Sequence, residues 1–197
     1  MKMNSIKLVL FALIWAIIVY VVNCMIAHKF KRIELKQAVL YFSTVAMVGL
    51  FGEVFLDTVY NTVFGNPLWR YNILPIHDGY TSSYAVVTWG IYGLHLYLLH
   101  GTLKAKSIVR TRHLALIICL EALLLEALLT ISAKLLLGRY LYYYYPGDLW
   151  HVSSFQNIPF YFIFGVVIIN IVRRFQASPK FFSLFSLWLV VIIAFLT

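Results

Sequence analysis

The sequence predicts an all-α fold, a polytopic membrane helix bundle of about six transmembrane helices forming one domain over residues 1–197. Three observations carry this. Of the residues, 62% are hydrophobic and only 12% are charged, about half the charged share of a soluble domain. The apolar residues gather in six runs, about 6–27, 38–64, 83–101, 114–137, 157–172 and 181–196. Roughly 20 such residues in helical form cross a hydrocarbon core of ~30 Å, and a helix satisfies its own backbone groups in lipid. Finally, basic residues crowd alternate connections, as the positive-inside rule describes.

The first run follows Lys2 and Lys7 like a secretory leader, but no A-x-A-like cleavage site follows it. It is expected to be a retained first span. Cys24 and Cys119 both lie in apolar runs, which argues against a disulfide framework. Lys29, Lys31, Arg32 and Lys36 follow run one. Lys104, Lys106, Arg110 and Arg112 follow run three, and Arg173, Arg174 and Lys180 follow run five. Placing these loops in the cytoplasm puts both termini outside the cell membrane. The formal charge of +9 is explained by this bias, and nothing in the chain resembles a nucleic-acid-binding module.

Two stretches break the apolar pattern in the same way. Glu53 precedes Gly65 at the spacing with which Glu126 precedes Gly138, an offset of 73 residues. Leu68, Trp69 and Tyr71 follow the first glycine, and Leu141, Tyr142 and Tyr144 follow the second. This predicts a parallel internal repeat, about 38–101 and 114–172, with an approximate two-fold axis along the membrane normal. The first and last helices are expected to flank these four.

Of seven acidic residues, Glu53, Asp57, Glu121 and Glu126 fall within expected spans. A charge there costs ~2.5–3.5 kcal/mol or more on insertion scales, so such residues face a bundle interior or a water-filled cavity. Glu53, Asp57 and Asn61 recur at helical spacing, as do Glu126, Thr130 and Lys134, and each set is expected to share a face. Lys134 is a candidate salt-bridge partner for a carboxylate. Glu121 falls on a different face from Glu126 and is expected to be structural. The two faces together predict a polar, outward-opening site. Glu53 and Glu126 are its protonatable centre, and Asp57, Asn61, Arg70, Tyr71, His77, Asp78 and Tyr144 line it. A carboxyl that gains and loses a proton there can act as a general acid or as a proton-coupled gate.

Loops 65–82 and 138–156 are rich in Trp and Tyr, which favour the headgroup level. An aromatic belt accounts for those residues. It does not account for His77 with Asp78, or Asp148 with His151. These four match no metal-ligand spacing, and His95 and His100 are five apart in one run. No metal or cofactor is expected. Ser82, Ser83, Ser153 and Ser154 read as helix caps, and neither a G-x-S-x-G elbow nor a Walker A sequence is present.

Glu53, Asn66 and Pro75-Ile76-His77-Asp78-Gly79 are similar to the helix Glu, Asn and P-I-x-G-like turn of the bacterial ABC-transporter type IV membrane protein family. The second half of that pattern, a Glu followed by W-D-Y, falls on Glu126 and Tyr142-Tyr143-Tyr144, without the Trp and Asp; Asp148-Leu149-Trp150 is a displaced counterpart. The resemblance spans about 45–165 and implies an ATPase or other membrane subunit as partner. A weaker likeness, through the glutamate and the G-x-P-x-W-x-Y run, is to carotenoid hydratase and lycopene-cyclase-domain membrane proteins. Their P-x-E-[ED] signature is missing, because Pro159 is followed by Phe160 and Tyr161. Three functions remain open on sequence: a binder or transporter of a small solute or lipid, a membrane acid/base enzyme acting on an isoprenoid or lipid with Glu53 or Glu126 as its catalytic acid, and a non-catalytic subunit.

Overall fold

The computed structural model describes residues 5–105 and 111–195. The basic positions Lys2, Lys106 and Arg110 lie outside the described residues, as do the side chains of Lys104 and Arg112. Among the described residues six helices form an all-α bundle: α1 (Ser5–Ala27), α2 (Leu35–Phe64), α3 (Ala85–Ala105), α4 (Thr111–Leu137), α5 (Ile158–Phe175) and α6 (Pro179–Phe195). Stretches Ser5–Ala27, Leu35–Phe64, His113–Leu137 and Phe155–Phe175 are helical, and long and apolar enough to cross a membrane.

Helix α1 is apolar all round, yet only Leu8, Phe11, Trp15, Val19 and Asn23 are buried. They recur every three or four residues and make one stripe against the bundle. Its other apolar side chains are exposed, among them Ile6, Leu13, Ile17 and Met25, as a lipid-facing surface requires. The central helix is α2, which packs along α3, α6 and α5; α4 pairs with α5, and α1 lies chiefly on α3. At 30 residues α2 is about 45 Å long, more than a bilayer core.

Small residues let the helices approach closely. A Cβ on Gly93 of α3 would lie 2.4 Å from the Tyr41 carbonyl oxygen of α2. A Cβ on Gly165 of α5 would lie 3.1 Å from Ala115 Cα of α4. These contacts fix the two helix pairs at near-backbone distance.

Both α2 and α4 stop at a glycine in the left-handed region, Gly65 with φ 74° and Gly138 with φ 76°. Such residues end helices because the left-handed conformation costs glycine little. The following segments turn back over the bundle and form short strands. Strand β1 (Trp69–Tyr71) pairs antiparallel with β4 (Tyr142–Tyr144), and β2 (Pro75–Ile76) with β3 (Thr81–Ser82). In the first pair Trp69 faces Tyr144, Arg70 faces Tyr143 and Tyr71 faces Tyr142. The Asn72 N–H donates to Leu141 O at 2.8 Å, and the Tyr145 N–H to Leu68 O at 3.0 Å. The pairing is therefore symmetrical about Arg70 and Tyr143.

The loops do not form the simple aromatic belt that their composition allows. Leu68, Trp69, Ile73, Leu141, Tyr142 and Tyr144 are buried in one cluster with Phe11, Trp15 and Leu56. Tyr143, Tyr145 and Trp150 remain exposed. Strand alternation explains the split, since Tyr142 and Tyr144 point to one face and Tyr143 to the other.

Gly93→Ala is expected to destabilise the protein by about 1–3 kcal/mol, as overpacking does, because the atom in the way is backbone. Gly101→Ala, where only the flexible Lys31 ammonium stands near, at 3.4 Å, should be neutral or slightly stabilising. Thermal unfolding in detergent compares the two.

Candidate functional site

The backbone N–H groups of a mid-helix turn are already bonded, so a carboxyl buried there needs donors from elsewhere. Glu53 is 7% exposed and draws its donors from β1, β3 and α3. Its Oε1 accepts from Tyr71 Oη at 2.5 Å and from Trp89 Nε1 at 2.8 Å. Its Oε2 accepts from the Thr81 hydroxyl. Glu126 is served in the same way from β4 and the segment after it. Its Oε1 accepts from the Tyr144 hydroxyl and its Oε2 from Ser153 Oγ at 2.5 Å, and Asn157 and, from α5, Tyr161 add further hydrogen bonds.

Glu53 with Glu126, and Tyr71 with Tyr144, stand 73 residues apart. Thr81 with Ser153, and Trp89 with Tyr161, stand 72 apart. The turns that deliver these hydroxyls are matched too. His77 and Asp78 (φ 50° and 54°) correspond to Trp150 and His151 (φ 51° and 63°), a left-handed backbone that is uncommon outside glycine.

Both glutamates line a cavity of about 110 Å³. Its walls are mainly aromatic: Phe11 and Trp15 of α1, Tyr84 just before α3, Trp89 and Tyr92 of α3, and Tyr142 of β4. Leu125 and Leu129 of α4 complete it. A recess of about 20 Å³, bounded by Glu53, Glu126, Tyr71, Tyr144 and Asn157, adjoins the same carboxyls. The strand pair covers this site on the loop side. Burial first, then the charge of Glu53, holds the Tyr71 phenol well above its ordinary range, and burial with Glu126 does the same for Tyr142 and Tyr144. These hydroxyls stay protonated and available as donors.

Of the expected site residues, Glu53, Tyr71, Glu126 and Tyr144 come together and the others do not. Asp57 Oδ1 accepts from the Leu68 N–H at 2.5 Å, bracing the chain where it leaves α2. Asn61 Nδ2 donates to Tyr80 Oη at 2.9 Å. Arg70 is exposed at the centre of the strand pair. His77 Nε2 lies 2.6 Å from the Ile193 carbonyl oxygen of α6. His77 and Asp78 line a separate cleft of about 360 Å³ with Val54, Thr58 and Tyr80. Eight residues along a 3.6-residue helix overshoot two turns by about 80°, so Asn61 has rotated away from Glu53. Lys134 has rotated from Glu126 by the same amount. Its ammonium lies 5.0 Å from the Tyr140 ring centroid instead of pairing with a carboxylate.

Asp148 accepts from Ser154 Oγ at 3.1 Å and from the Phe155 N–H at 2.9 Å. His151 stacks on Tyr143, with ring centroids 4.4 Å apart. Among the described residues no three His, Cys, Asp or Glu gather as metal ligands. Glu121 belongs to a different cross-link. Its Oε2 is 3.1 Å from His95 Nε2, and its Oε1 accepts from Tyr92 Oη at 3.2 Å. Asn23 Nδ2 donates to His95 Nδ1 at 2.8 Å, so the imidazole proton sits on Nε2 and faces Glu121. That network ties α1, α3 and α4.

Sequence reasoning missed Thr81, Trp89, Ser153, Asn157 and Tyr161. Hydroxyl, indole and amide side chains give no spacing signal of their own. An offset fixed at 73 also leads from Thr81 to Ser154, whose Oγ instead accepts from the Gln156 N–H. No family model, curated protein or solved structure matches the chain.

Asp57→Ala should cost about 1–3 kcal/mol by stranding the buried Leu68 N–H, and Asp57→Asn less, in the same unfolding assay. Tyr71→Phe and Tyr144→Phe should shift the infrared carboxyl bands of their glutamates in the same sense. Tyr60→Phe, which removes a hydroxyl bonded to Gln156, should not. A band that responds to only one of the two tyrosines would contradict the matched arrangement.

Proposed function

We propose that this is a cell-membrane protein of six spans that binds a small solute or lipid at Glu53 and Glu126 and carries it across the bilayer. The observation that bears most weight is the convergence of two glutamates, Glu53 buried and Glu126 partly buried, each held by a tyrosine and a short hydroxyl side chain, on one aromatic cavity. A carboxylate needed only to join helices would end against its partners on neighbouring helices, as Glu121 does 3.1 Å from His95 Nε2 and accepting from Tyr92 Oη. Open volume against both carboxyls supports a site meant to be filled.

In this reading α2–α3 and α4–α5 are two copies of one parallel unit. The matched donors, the symmetrical strand pair and the equivalent close approaches at Gly93 and Gly165 support it. The basic connections α1–α2, α3–α4 and α5–α6 face the cytoplasm and the termini face outward, as the lysine and arginine bias suggests. An ATPase or other membrane subunit is a candidate partner through the resemblance of residues 45–165.

Native mass spectrometry of the protein in detergent, beside the Glu53→Gln, Glu126→Gln double variant, tests the reading. A small molecule retained by the native protein and lost from the variant is expected. Identical spectra together with a lowered melting temperature in the variant would reduce the glutamates to structural groups.

A further inference from the structure

We propose that the site takes a small alkylammonium ion, one that carries N–H donors on a compact apolar body. The inference rests on the binding-site reading above and names its ligand class. Charge comes first. The polar partners of Glu53 are Tyr71, Thr81 and Trp89, all neutral. Those of Glu126 are Tyr144, Ser153, Tyr161 and Asn157, also neutral. Trp89 Nε1 can only donate, so at least one glutamate oxygen is committed as an acceptor. No Lys, Arg or His lines the cavity or its recess among the described residues. The two carboxyls, which line the same cavity and recess, therefore lack a positive partner inside the protein, and a charge taken out of water calls for one.

A second, independent feature points to a donor. Asn157 is 2% exposed and lines the recess between the glutamates. Its Nδ2 donates to Tyr144 Oη at 2.5 Å, while the Tyr144 hydroxyl donates to Glu126. That hydroxyl proton is already used, so the amide cannot be turned over, and Asn157 Oδ1 is left buried without a partner. An unmatched buried acceptor is costly, and of the unpartnered buried side-chain atoms among the described residues only this one belongs to a residue that lines the recess or the cavity. Glu53, Glu126 and Asn157 thus present acceptors to one small volume, and an ammonium head supplies the matching donors. A quaternary ammonium would bring the charge but leave Asn157 unsatisfied.

The body of the ligand follows from the walls. Trp15, Trp89, Tyr92 and Tyr142 surround the 110 Å³ cavity. Aromatic faces attract a cation by about 0.5–2 kcal/mol each when desolvated. A cavity of about 150 Å³ takes benzene, so this one suits a compact aliphatic body no bulkier than benzene. The groups facing the carboxyls that could themselves titrate are Tyr71 of β1, Tyr84 just before α3, Tyr92 of α3, Tyr142 and Tyr144 of β4 and Tyr161 of α5; α1 contributes none. A proton and an ammonium ion accordingly compete for the same two carboxylates.

Cyclopentylamine is a suitable probe, with cyclopentanol as its neutral counterpart and tetramethylammonium as a cation without N–H. Binding to the purified protein is read by tryptophan fluorescence, since Trp15 and Trp89 line the cavity. Between about pH 5 and pH 8 an alkylamine keeps its proton. Saturable binding of cyclopentylamine is expected, weakening as pH falls by up to about tenfold per unit. Loss of at least about tenfold in affinity is expected for Glu53→Gln and for Asn157→Leu. The native protein alone keeps the test decisive if either variant folds poorly. Cyclopentanol or tetramethylammonium binding as tightly as cyclopentylamine, or an affinity indifferent to pH, would overturn the proposal. If none of the three binds while native mass spectrometry finds a ligand lost from the double glutamine variant, the amine is wrong and the site stands. If that experiment also finds nothing, both fail.

Discussion

A carboxyl group in the middle of a membrane helix finds no free donor on its own helix. The architecture follows from that constraint. Glu53 and Glu126 are each completed by hydroxyls that arrive from the segment beyond the end of the same helix. To deliver them, the chain must leave the helix, reverse, and return into the bundle. The left-handed glycines at 65 and 138, the short strands and the positive-φ pairs at 77–78 and 150–151 all serve this return. Asp57 has its place here too, because it accepts from the first residues of the returning segment.

Once both segments fold inward, they meet. Their meeting edges carry unpaired backbone groups, which cannot be left bare where water is scarce. Pairing β1 with β4 satisfies them and places Tyr71, Tyr142 and Tyr144 between the glutamates and the loop surface. Local backbone chemistry thereby sets the distance between two carboxyls that are far apart in sequence. The cavity is what remains between these inward-turned aromatic groups and the stripe of α1 at Phe11 and Trp15.

The helical bundle was legible from apolar runs alone, because lipid imposes length and composition directly. The importance of Glu53 and Glu126 was legible from cost: a carboxyl in an apolar run demands an explanation. Tyr71 and Tyr144 followed from their fixed distance to the glycines. The remaining donors were not legible, for two physical reasons. Hydroxyl, indole and amide side chains are cheap to place anywhere, so their presence at Thr81, Trp89, Ser153, Asn157 and Tyr161 raises no signal. The second segment is also one residue shorter beyond its turn, which shifts every later correspondence by one. Helix geometry misled at longer range, since Asn61 and Lys134 share a spacing with the glutamates but not, after two turns, a direction.

The symmetry of the β1–β4 pair carries a topological consequence. Each strand offers an edge that its own sequence neighbour does not use, and nothing in the backbone bonds distinguishes a partner strand in the same chain from the equivalent strand of another copy. Correct closure within one chain depends on the local concentration imposed by the α3–α4 connection. Lengthening that connection or crowding many copies in one bilayer patch favours exchange, giving two chains that trade halves and build two mixed sites. The short tether between the halves therefore favours closure of the strand pair within one chain.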